Sequence, residues 1–457
     1  MSAHPLVLEI NTRCWLRELS DGAGHCVTLA TAPDAALAAW QQRCLTHIWL
    51  MGAWTTGPKT SEIARGQPSL RALCGEAFGS TDGSLLDSSP YAIGDYRVAE
   101  SFGGAAGLRV LRQKLSEHGL GLILDFVPNH LGLDHPWLKT RPGLFVRSAA
   151  ARPETFPVTV AGETSWVAHG KDPNFPAWSD TAQLDYRVPA TRAAMTDVLL
   201  SIAEQCDGVR CDMAMLLLAE VFSGVWRDFP CWEAAAGGEF WAEAIATVKR
   251  KHPHFLFIAE AYWNLEGRLA SLGFDYAYDK EFYDRLTRRD YSALQAHVRG
   301  GGGGFAPTRF LENHDEPRIA SILSYPEQRA ATALLLSQPG MRLLHDGQRE
   351  GRRRRTPVQF SRYWPETPDT EATAIHDALY SALARTSIGR GEAKFLAAKS
   401  ATGGGADLSD CFVIHWESSE GETLAAINMS AQQRAFQAND FQFDLAPHEF
   451  QFIAPRG

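Results

Sequence analysis

The chain has 457 residues, of which 45% are hydrophobic and 21% charged, and its formal net charge is -9 at pH 7. This length predicts one large domain with smaller attachments, and the composition excludes a disordered chain or a bundle of membrane spans. The negative charge argues against nucleic acid as the main partner. The first 13 residues have neither a basic start nor a long apolar run, so we expect no signal peptide, no membrane association and a cytoplasmic location.

Apolar runs alternate with helical patterns along most of the chain. The apolar runs predict strands at residues 6–11, 46–51, 120–126, 208–211, 255–259, 274–277, 308–312 and 341–345. Helical spacing of apolar residues predicts helices at residues 32–45, 104–118, 190–204 and 241–252. Eight strands in this alternation favour an α/β fold, a closed (β/α)8 TIM barrel, over an open doubly wound sheet.

Two segments interrupt the alternation. Residues 131–188 are rich in Pro, Gly, Trp and Asp, and a connection of that length predicts a small inserted domain over the active face. From residue 391 onward, short alternating apolar runs predict a compact antiparallel β domain at residues 391–457. The barrel is then expected at residues 1–130 and 189–390.

Charged side chains follow four of the predicted strands, where each strand ends. One such ending is readily explained by turn or capping chemistry, but four are not. The carboxyl ends of barrel strands meet on the face where barrel enzymes carry out their chemistry. The sequence therefore predicts an enzyme whose site draws on Asp125, Arg210, Asp212, Glu260, His314 and Asp315.

Four motifs at these strand ends resemble the signature regions of the α-amylase family of retaining glycoside hydrolases, glycoside hydrolase family 13. They are DFVPNH at 125–130, GVRCD at 208–212, IAEAYW at 258–263 and ENHDEPR at 312–318. They follow the order of that family, and the inserted and C-terminal segments fall where it carries its domains B and C. The resemblance implies a retaining α-glycoside hydrolase acting on an α-glucan or malto-oligosaccharide through a covalent glycosyl-Asp intermediate.

The resemblance assigns the three acids to catalytic roles. Asp212 would be the nucleophile, Glu260 the acid/base and Asp315 the third acid, which binds sugar hydroxyls. Glu260 should have a raised pKa, because it must be protonated in the first step and ionised in the second. Arg210 lies two residues before Asp212, so both side chains leave the strand on the same side and the arginine can hold Asp212 ionised. Asp125 is interpreted as structural.

Further substrate contacts are implied by the same resemblance. The segment YAIGDY at 91–96 resembles the one whose Tyr stacks on the sugar at the cleavage site. The histidines have a simpler alternative as satisfied core residues, and Arg318 could instead pair with Glu312 or Glu316. The predicted substrate-binding residues are Tyr91, His130, Arg210, His314 and Arg318.

Metal binding has weak support in the sequence. The eight cysteines are scattered without a C-x-x-C pair, so neither a zinc site nor a disulfide framework is expected. Asn129 resembles a residue that binds structural calcium in many family members, although an Asn side chain bonded to backbone is the commoner role. Calcium needs six or more oxygens, and no further suppliers can be identified from the sequence.

The chain departs from the family pattern at positions that affect specificity. Met215 and Leu216 stand where many α-amylases place a Lys and a His, which argues against ordinary endo-amylase recognition. Ala92 stands where exo-acting α-glucosidases carry an Asp that grips the terminal glucose. The sequence therefore predicts neither a typical endo-amylase nor a typical α-glucosidase pocket.

The arginine run Arg352 to Arg355 has no ready family role. We interpret it as a solvated face or a set of pairs with local acids, with an anionic ligand such as a sugar phosphate as the alternative. Two alternatives to hydrolysis stay open. One is an α-glucan transglycosylase, resembling a glucanotransferase or a maltosyltransferase, and the other is a non-catalytic carbohydrate-binding protein.

Overall fold

The computed structural model describes residues 4–233, 237–301, 304–400 and 407–454. Within these ranges, eight parallel strands form a closed barrel. We label them β1 to β8: Leu6–Asn11, His47–Met51, Gly121–Phe126, Gly208–Cys211, Leu256–Ala259, Tyr276–Tyr278, Pro307–Phe310 and Met341–His345. Each strand pairs with its neighbours in chain order, and β8 pairs with β1 to close the ring. The predicted (β/α)8 fold is confirmed.

Strand register places the functional strand ends side by side. Arg210 on β4 lies opposite Asp125 on β3 and Ile258 on β5. Cys211 lies opposite Ala259, so the chain leaves β4 and β5 at the same level. Nearly all residues of these strands are buried, as expected for parallel strands covered on both faces.

Helices surround the barrel and agree with the predicted ones to within about two residues in three of four cases. The fourth is shorter than expected, Asp34–Gln42 rather than residues 32–45, and Thr12–Ala23 forms a helix that was not predicted. The described helices are Thr12–Ala23, Asp34–Gln42, Pro58–Gly66, Pro68–Phe78, Gly104–Glu117, Trp137–Thr140, Pro189–Ala203, Ala219–Trp226, Phe240–Lys251, Glu266–Ser271, Lys280–Thr287, Tyr291–Arg299, Tyr325–Ser337 and Thr370–Leu383. None of the helices in these described ranges is long and apolar enough to span a bilayer.

Two insertions stand at the carboxyl end of the barrel. After β3, the strands Arg147–Ser148, Thr155–Val160 and Glu163–Ala168 form a small antiparallel sheet, and His130–Gly132 pairs with Thr181–Gln183. After β2, the short strands Trp54–Thr55 and Asp95–Val98 pair around the helices Pro58–Gly66 and Pro68–Phe78. This second insertion was not predicted.

The C-terminal region consists of antiparallel sheets, as predicted. One sheet contains Glu392–Leu396, Cys411–Ser418, Gly421–Asn428 and Phe450–Ile453, and the other contains Lys399–Ser400, Arg434–Ala438 and Phe441–Leu445. Trp416 joins this region to the barrel. Its indole N–H donates to the carbonyl of Ser337 at 2.9 Å, and its ring packs edge-on against His4.

Candidate active site

A pocket with a volume of about 390 Å³ lies at the carboxyl end of the barrel strands. It contains the three acids that the sequence assigned to catalysis and three of the five residues assigned to substrate binding. Its lining includes Tyr91, His130, Asp212, Glu260, His314 and Asp315. Of the remaining predicted residues, Arg210 lies just beneath the pocket and Arg318 lies elsewhere.

Arg210 connects two of the acids. Its Nη1 donates to Asp212 Oδ1 at 2.6 Å, and its Nη2 lies 2.8 Å from Glu260 Oε2. Its side chain is 1% exposed and sits against the rings of Trp49 and Tyr91. A buried guanidinium with two carboxylate partners fixes both in position, and removing it would leave buried charge uncompensated.

The backbone after Asp212 also contacts Glu260. Met213 adopts a left-handed conformation with φ 43°, which is unusual for a residue with a side chain. In this conformation its N–H donates to Glu260 Oε2 at 2.6 Å, while the N–H of Ala214 donates to the Glu260 carbonyl at 3.0 Å. The loop that carries Asp212 is therefore bonded directly to the residue that would act with it.

The environment of Glu260 suits an acid/base. Burial, together with the neighbouring negative charges of Asp212 and Asp315, raises its pKa to about 7, although Arg210 acts against this shift. The hydroxyl of Tyr262 donates to Glu260 Oε1 at 3.0 Å. A carboxyl group with this pKa exchanges its proton readily near neutral pH, which a group that acts first as an acid and then as a base must do.

Asp315 is held in the opposite protonation state. Its side chain is 49% exposed because it faces the open pocket, and its Oδ2 lies 3.0 Å from His314 Nε2. Enclosure by the protein would raise its pKa, but the charge and hydrogen bond of His314 prevail and hold the pKa at about 2. These contacts therefore favour the anionic form of Asp315.

His314 owes its positive charge to a second acid. Burial alone would lower its pKa, but Asp315 and Glu9 together raise it well above the usual value. Glu9, which is fully buried on β1, accepts a hydrogen bond from His314 Nδ1 at 2.5 Å. Tyr91 Oη lies 2.9 Å from Nε2, and its ring stacks on the imidazole. Glu9 was not predicted, because a single Glu inside an apolar strand gives no local signal of its partner.

Asp125 supports the floor of the site and does not line the pocket. It accepts hydrogen bonds from the Trp49 indole at 3.0 Å and from the Gly52 N–H at 2.7 Å. Burial raises its pKa to about 6, although Arg210 acts against this shift. These contacts agree with the structural interpretation of Asp125.

The substrate-binding prediction for Arg318 is not supported. Its side chain is 1% exposed, and Nη1 donates to Glu312 Oε1 at 2.6 Å and to the Asp346 carbonyl at 2.7 Å. It also lies 2.9 Å from His345 Nδ1. The loop between Glu312 and Arg318 folds back and brings the two side chains together. The structure therefore shows the alternative interpretation, in which Arg318 pairs with Glu312.

The inserted segment after β3 supplies pocket residues that were not predicted individually. Trp178 packs on His130 with ring centroids 5.0 Å apart. Asp180 also lines the pocket, and burial raises its pKa against the effect of His130. Burial lowers the pKa of His130 against the negative charges of Asp212 and Asp180, which favours the neutral imidazole. The motif PNFPAWSD at 173–180 was the available signal for this wall.

The pocket lining also includes Gln67, Ser89 and Gln359. Gln67 lies between the helices Pro58–Gly66 and Pro68–Phe78, and Gln359 lies in the loop after β8. No sequence motif singles out these residues.

The surroundings of Asn129 do not fit a calcium site. Its Oδ1 accepts from Gln183 Nε2 at 3.0 Å, and its side chain is buried. A calcium ion requires six or more oxygens, and this carboxamide oxygen is already used by another side chain. Among the residues that the structure describes, no group of three or more His, Cys, Asp or Glu side chains is arranged to hold a metal ion.

The residues that depart from the family pattern lie in different environments. Met215 and Leu216 are buried in the core within the short turn Ala214–Leu217, so this part of the chain offers sugar no polar side chain. Ala92 does line the pocket. The pocket therefore has no carboxylate at position 92.

The arginine run divides into two kinds of residue. Arg352 pairs with Glu18 at 2.8 Å and Arg354 with Glu76 at 3.4 Å, as expected for pairs with local acids. The backbone N–H of Arg353 donates to Glu366. Arg355 differs, because its Nη1 donates to the backbone carbonyl of Asp315 at 3.0 Å and so lies beside the pocket.

Comparisons with known proteins agree with the resemblance of the four motifs to the α-amylase family. The family model "Alpha amylase, catalytic domain" matches residues 83–271. The α-amylase MalA of Haloarcula japonica is 24% identical over 275 residues, which cover 58% of this chain and 37% of that protein. An alpha-1,4-glucan:maltose-1-phosphate maltosyltransferase of Pseudomonas aeruginosa is 29% identical over 201 residues, covering 42% of this chain and 25% of that protein.

Solved structures agree on the fold. An α-amylase from Lactobacillus plantarum superimposes with a TM-score of 0.69 at 18% identity, covering 99% of each chain. Amy13B of Eubacterium rectale gives a TM-score of 0.71 at 14% identity, covering 100% of this chain and 96% of that one. The region at residues 83–271 is thus similar to the α-amylase catalytic domain, and the chain spans less than two fifths of the length of the two curated relatives just described.

Proposed function

We propose that the protein is a retaining α-glycosidase acting on α-glucans or malto-oligosaccharides. The observation that carries this proposal is the single guanidinium of Arg210, which contacts both Asp212 and Glu260 in a pocket that also holds Asp315. Retention requires a nucleophile and an acid/base about 5–5.5 Å apart, and a shared arginine supports that closer arrangement over the wider one of inverting enzymes.

The first step forms a covalent intermediate. Asp212 attacks the anomeric carbon while Glu260, protonated, gives its proton to the departing glycosidic oxygen. The bond from the anomeric carbon to that oxygen breaks as the bond to Asp212 forms. Positive charge develops on the sugar ring, and Asp315, held as an anion by His314, stabilises it.

The second step releases the sugar. Glu260, now ionised, takes a proton from a water molecule, whose oxygen attacks the anomeric carbon and displaces Asp212. The pKa of about 7 allows Glu260 to act in both directions. Two inversions give overall retention of configuration.

Transglycosylation is a second candidate, in which a sugar hydroxyl or phosphate replaces water in the second step. Two observations favour transglycosylation as a candidate. One is the similarity to a maltosyltransferase that uses maltose 1-phosphate, and the other is the position of Arg355 beside Asp315. An arginine there could pair with a phosphate group on a donor or acceptor.

The products formed from maltoheptaose test these candidates. Shorter sugars with the α configuration, observed by proton NMR before mutarotation, indicate retaining hydrolysis, and longer sugars in the presence of maltose 1-phosphate or maltose indicate transfer. Asp212→Ala should abolish both, whereas Asp444→Ala, at an exposed position of the C-terminal sheet, should behave as wild type. No turnover of any of these sugars by the wild-type protein would overturn the proposal.

A further inference from the structure

The order of the barrel strands indicates in which direction a bound substrate would run through the pocket. Glu260 follows β5 and would protonate the oxygen of the leaving group, so the leaving sugars lie on the β5 side of Asp212. In a ring of eight strands in chain order, β1 lies diametrically opposite β5, and β2 and β8 flank β1. The part of the substrate that remains bound to Asp212 therefore points toward the loops after β2 and β8.

Those two loops form one wall, which we call the β2–β8 wall and define as residues 58–89 and 357–364. The N–H of Asp87 donates to the Gln359 carbonyl at 2.8 Å, and the N–H of Ser361 donates to the Leu85 carbonyl at 2.9 Å. Leu86 and Phe360 form a β-bridge between the same segments. Backbone pairing of this kind holds the two loops in a fixed relation.

The β2–β8 wall also has its own apolar core. This cluster contains Ala64, Leu70, Cys74, Leu86, Phe360 and Trp364. The Phe360 ring packs against Phe78 and stacks on Trp364. A wall whose two loops pack together around the buried rings of Phe360 and Trp364 is a permanent part of the structure rather than a mobile loop.

The wall presents neutral polar side chains to the pocket. Gln67 and Ser89 come from the first loop and Gln359 from the second. Carboxamide and hydroxyl groups can both donate and accept, which suits the hydroxyls of a sugar that goes no further. Ala92 also lines the pocket and supplies no charge.

The side of the leaving group is different. Trp263 lies three residues after Glu260, is 40% exposed and adopts a left-handed conformation with φ 64°. An exposed aromatic ring in the loop after β5 offers a surface on which further sugars can pack. The paired loops therefore follow the two strands that flank β1, whereas the loop after β5 carries an exposed aromatic residue.

We infer that the β2–β8 wall ends the binding site on the non-reducing side, so that the enzyme removes short units from the non-reducing end of its substrate, with Gln67 and Gln359 binding the terminal sugar. This inference rests on the proposed function. The pocket volume of about 390 Å³ lies near the lower end of the usual range of about 300–1,000 Å³, in keeping with a short bound segment.

A blocked substrate tests the inference directly. Two maltoheptaoses labelled at the reducing end are compared at low conversion, one with a free non-reducing end and one carrying a 4,6-O-ethylidene group there. We expect the free form to be shortened by a constant small unit and the blocked form to react about 100-fold more slowly, because the added group meets the wall.

The possible results separate the inference from the proposed function. Similar cleavage of both forms into mixed products would overturn the inference and leave α-glucan cleavage intact. Failure to cleave either form would overturn the proposed function, and the inference with it.

A wall variant provides a second test. Gln67→Ala combined with Gln359→Ala removes the polar side chains but keeps the backbone bonds of Gln359, so the wall should remain folded. We expect KM for the free form to rise about 10-fold or more and the preference for the free over the blocked form to fall. Gln113→Ala, at an exposed position on the helix Gly104–Glu117, is the matched control and should match wild type. An unchanged preference in the wall variant would contradict the assignment of these two glutamines.

Discussion

Glu9 illustrates how a residue outside the pocket can set the charge within it. It lies on β1, and its only described side-chain partner is His314 Nδ1. Since His314 in turn holds Asp315 as an anion, Glu9 is a positioning residue for the third acid.

We therefore predict that Glu9→Gln lowers the pKa of His314, because the variant removes one of the two negative charges that raise it. At pH 8, kcat/KM on maltoheptaose should fall by about 10-fold or more as His314 loses its proton. Below the lowered pKa His314 is protonated again, so the loss should shrink toward pH 5. A pH profile of kcat/KM, with the exposed Glu392→Gln as control, measures this. A loss that is equal at pH 5 and pH 8 would indicate a purely structural effect.

The pKa of about 7 at Glu260 predicts an alkaline limb in the pH profile. The first step needs the protonated form, so kcat/KM for maltoheptaose should decline above about pH 7 as the proton is lost.

Glu260→Gln should reduce kcat on maltoheptaose by about 10³-fold, within the range expected for an acid/base. On α-glucosyl fluoride, whose leaving group needs no proton, the loss in the first step should be much smaller and the alkaline limb should disappear. An alkaline limb that persists in the variant would assign this pKa to another group. Circular dichroism of both proteins checks that the variant is folded.

At the scale of elements, the arginine run combines surface pairs with one residue beside the site. We predict that the double variant Arg353→Gln, Arg354→Gln changes kcat/KM by less than the equivalent of about 0.5 kcal/mol, because exposed pairs contribute little.

Arg355→Gln should have the larger effect, since Arg355 donates to the Asp315 carbonyl. If phosphate binds there, inorganic phosphate should inhibit the wild type competitively, more weakly as salt rises, and should not inhibit the variant. Inhibition that is equal in wild type and Arg355→Gln would place the phosphate elsewhere.

The sequence predicted the barrel strands well because each apolar run is buried on both sides and its signal is local. The helix Thr12–Ala23 was missed because it begins directly after β1, with no turn residues to mark the boundary except Asn11, whose side chain caps it. The acids Asp212, Glu260 and Asp315 could be found because each follows a strand. By contrast, the environment of Arg318 depends on how its loop folds back onto Glu312, and no spacing rule decides between a ligand and a buried partner.

The β2–β8 wall could not be predicted for a related reason. Gln67 and Gln359 are far apart in the sequence, and each lies in a loop without a recognisable motif. Only the pairing of Asp87 with Gln359 and the shared core around Phe360 bring them to one side of the pocket. Long-range pairings of this kind leave no periodic pattern in the sequence.

For the whole molecule, Trp416 links the C-terminal sheets to the barrel. It is fully buried and bonds to the last turn of the helix Tyr325–Ser337. Trp416→Ala should lower the free energy of unfolding by about 3–5 kcal/mol, through lost packing and an unpaired carbonyl.

Chemical denaturation monitored by circular dichroism measures this cost, provided that unfolding is reversible. Trp232→Ala, at a position that is 52% exposed, is the control and should cost less than about 1 kcal/mol. A cost for Trp416→Ala no larger than that of the control would show that the C-terminal sheets do not contribute to the stability of the barrel through this residue.

The joint construction of the β2–β8 wall restricts how this pocket can be redesigned. A chimera that receives either loop alone from a relative would lose the partner for the Asp87 and Ser361 N–H groups and half of the aromatic packing around Phe360. Grafts that exchange both loops as one module should keep these contacts. Recombination between relatives would therefore preserve a functional pocket only when its crossover points leave the two distant loops with the same parent.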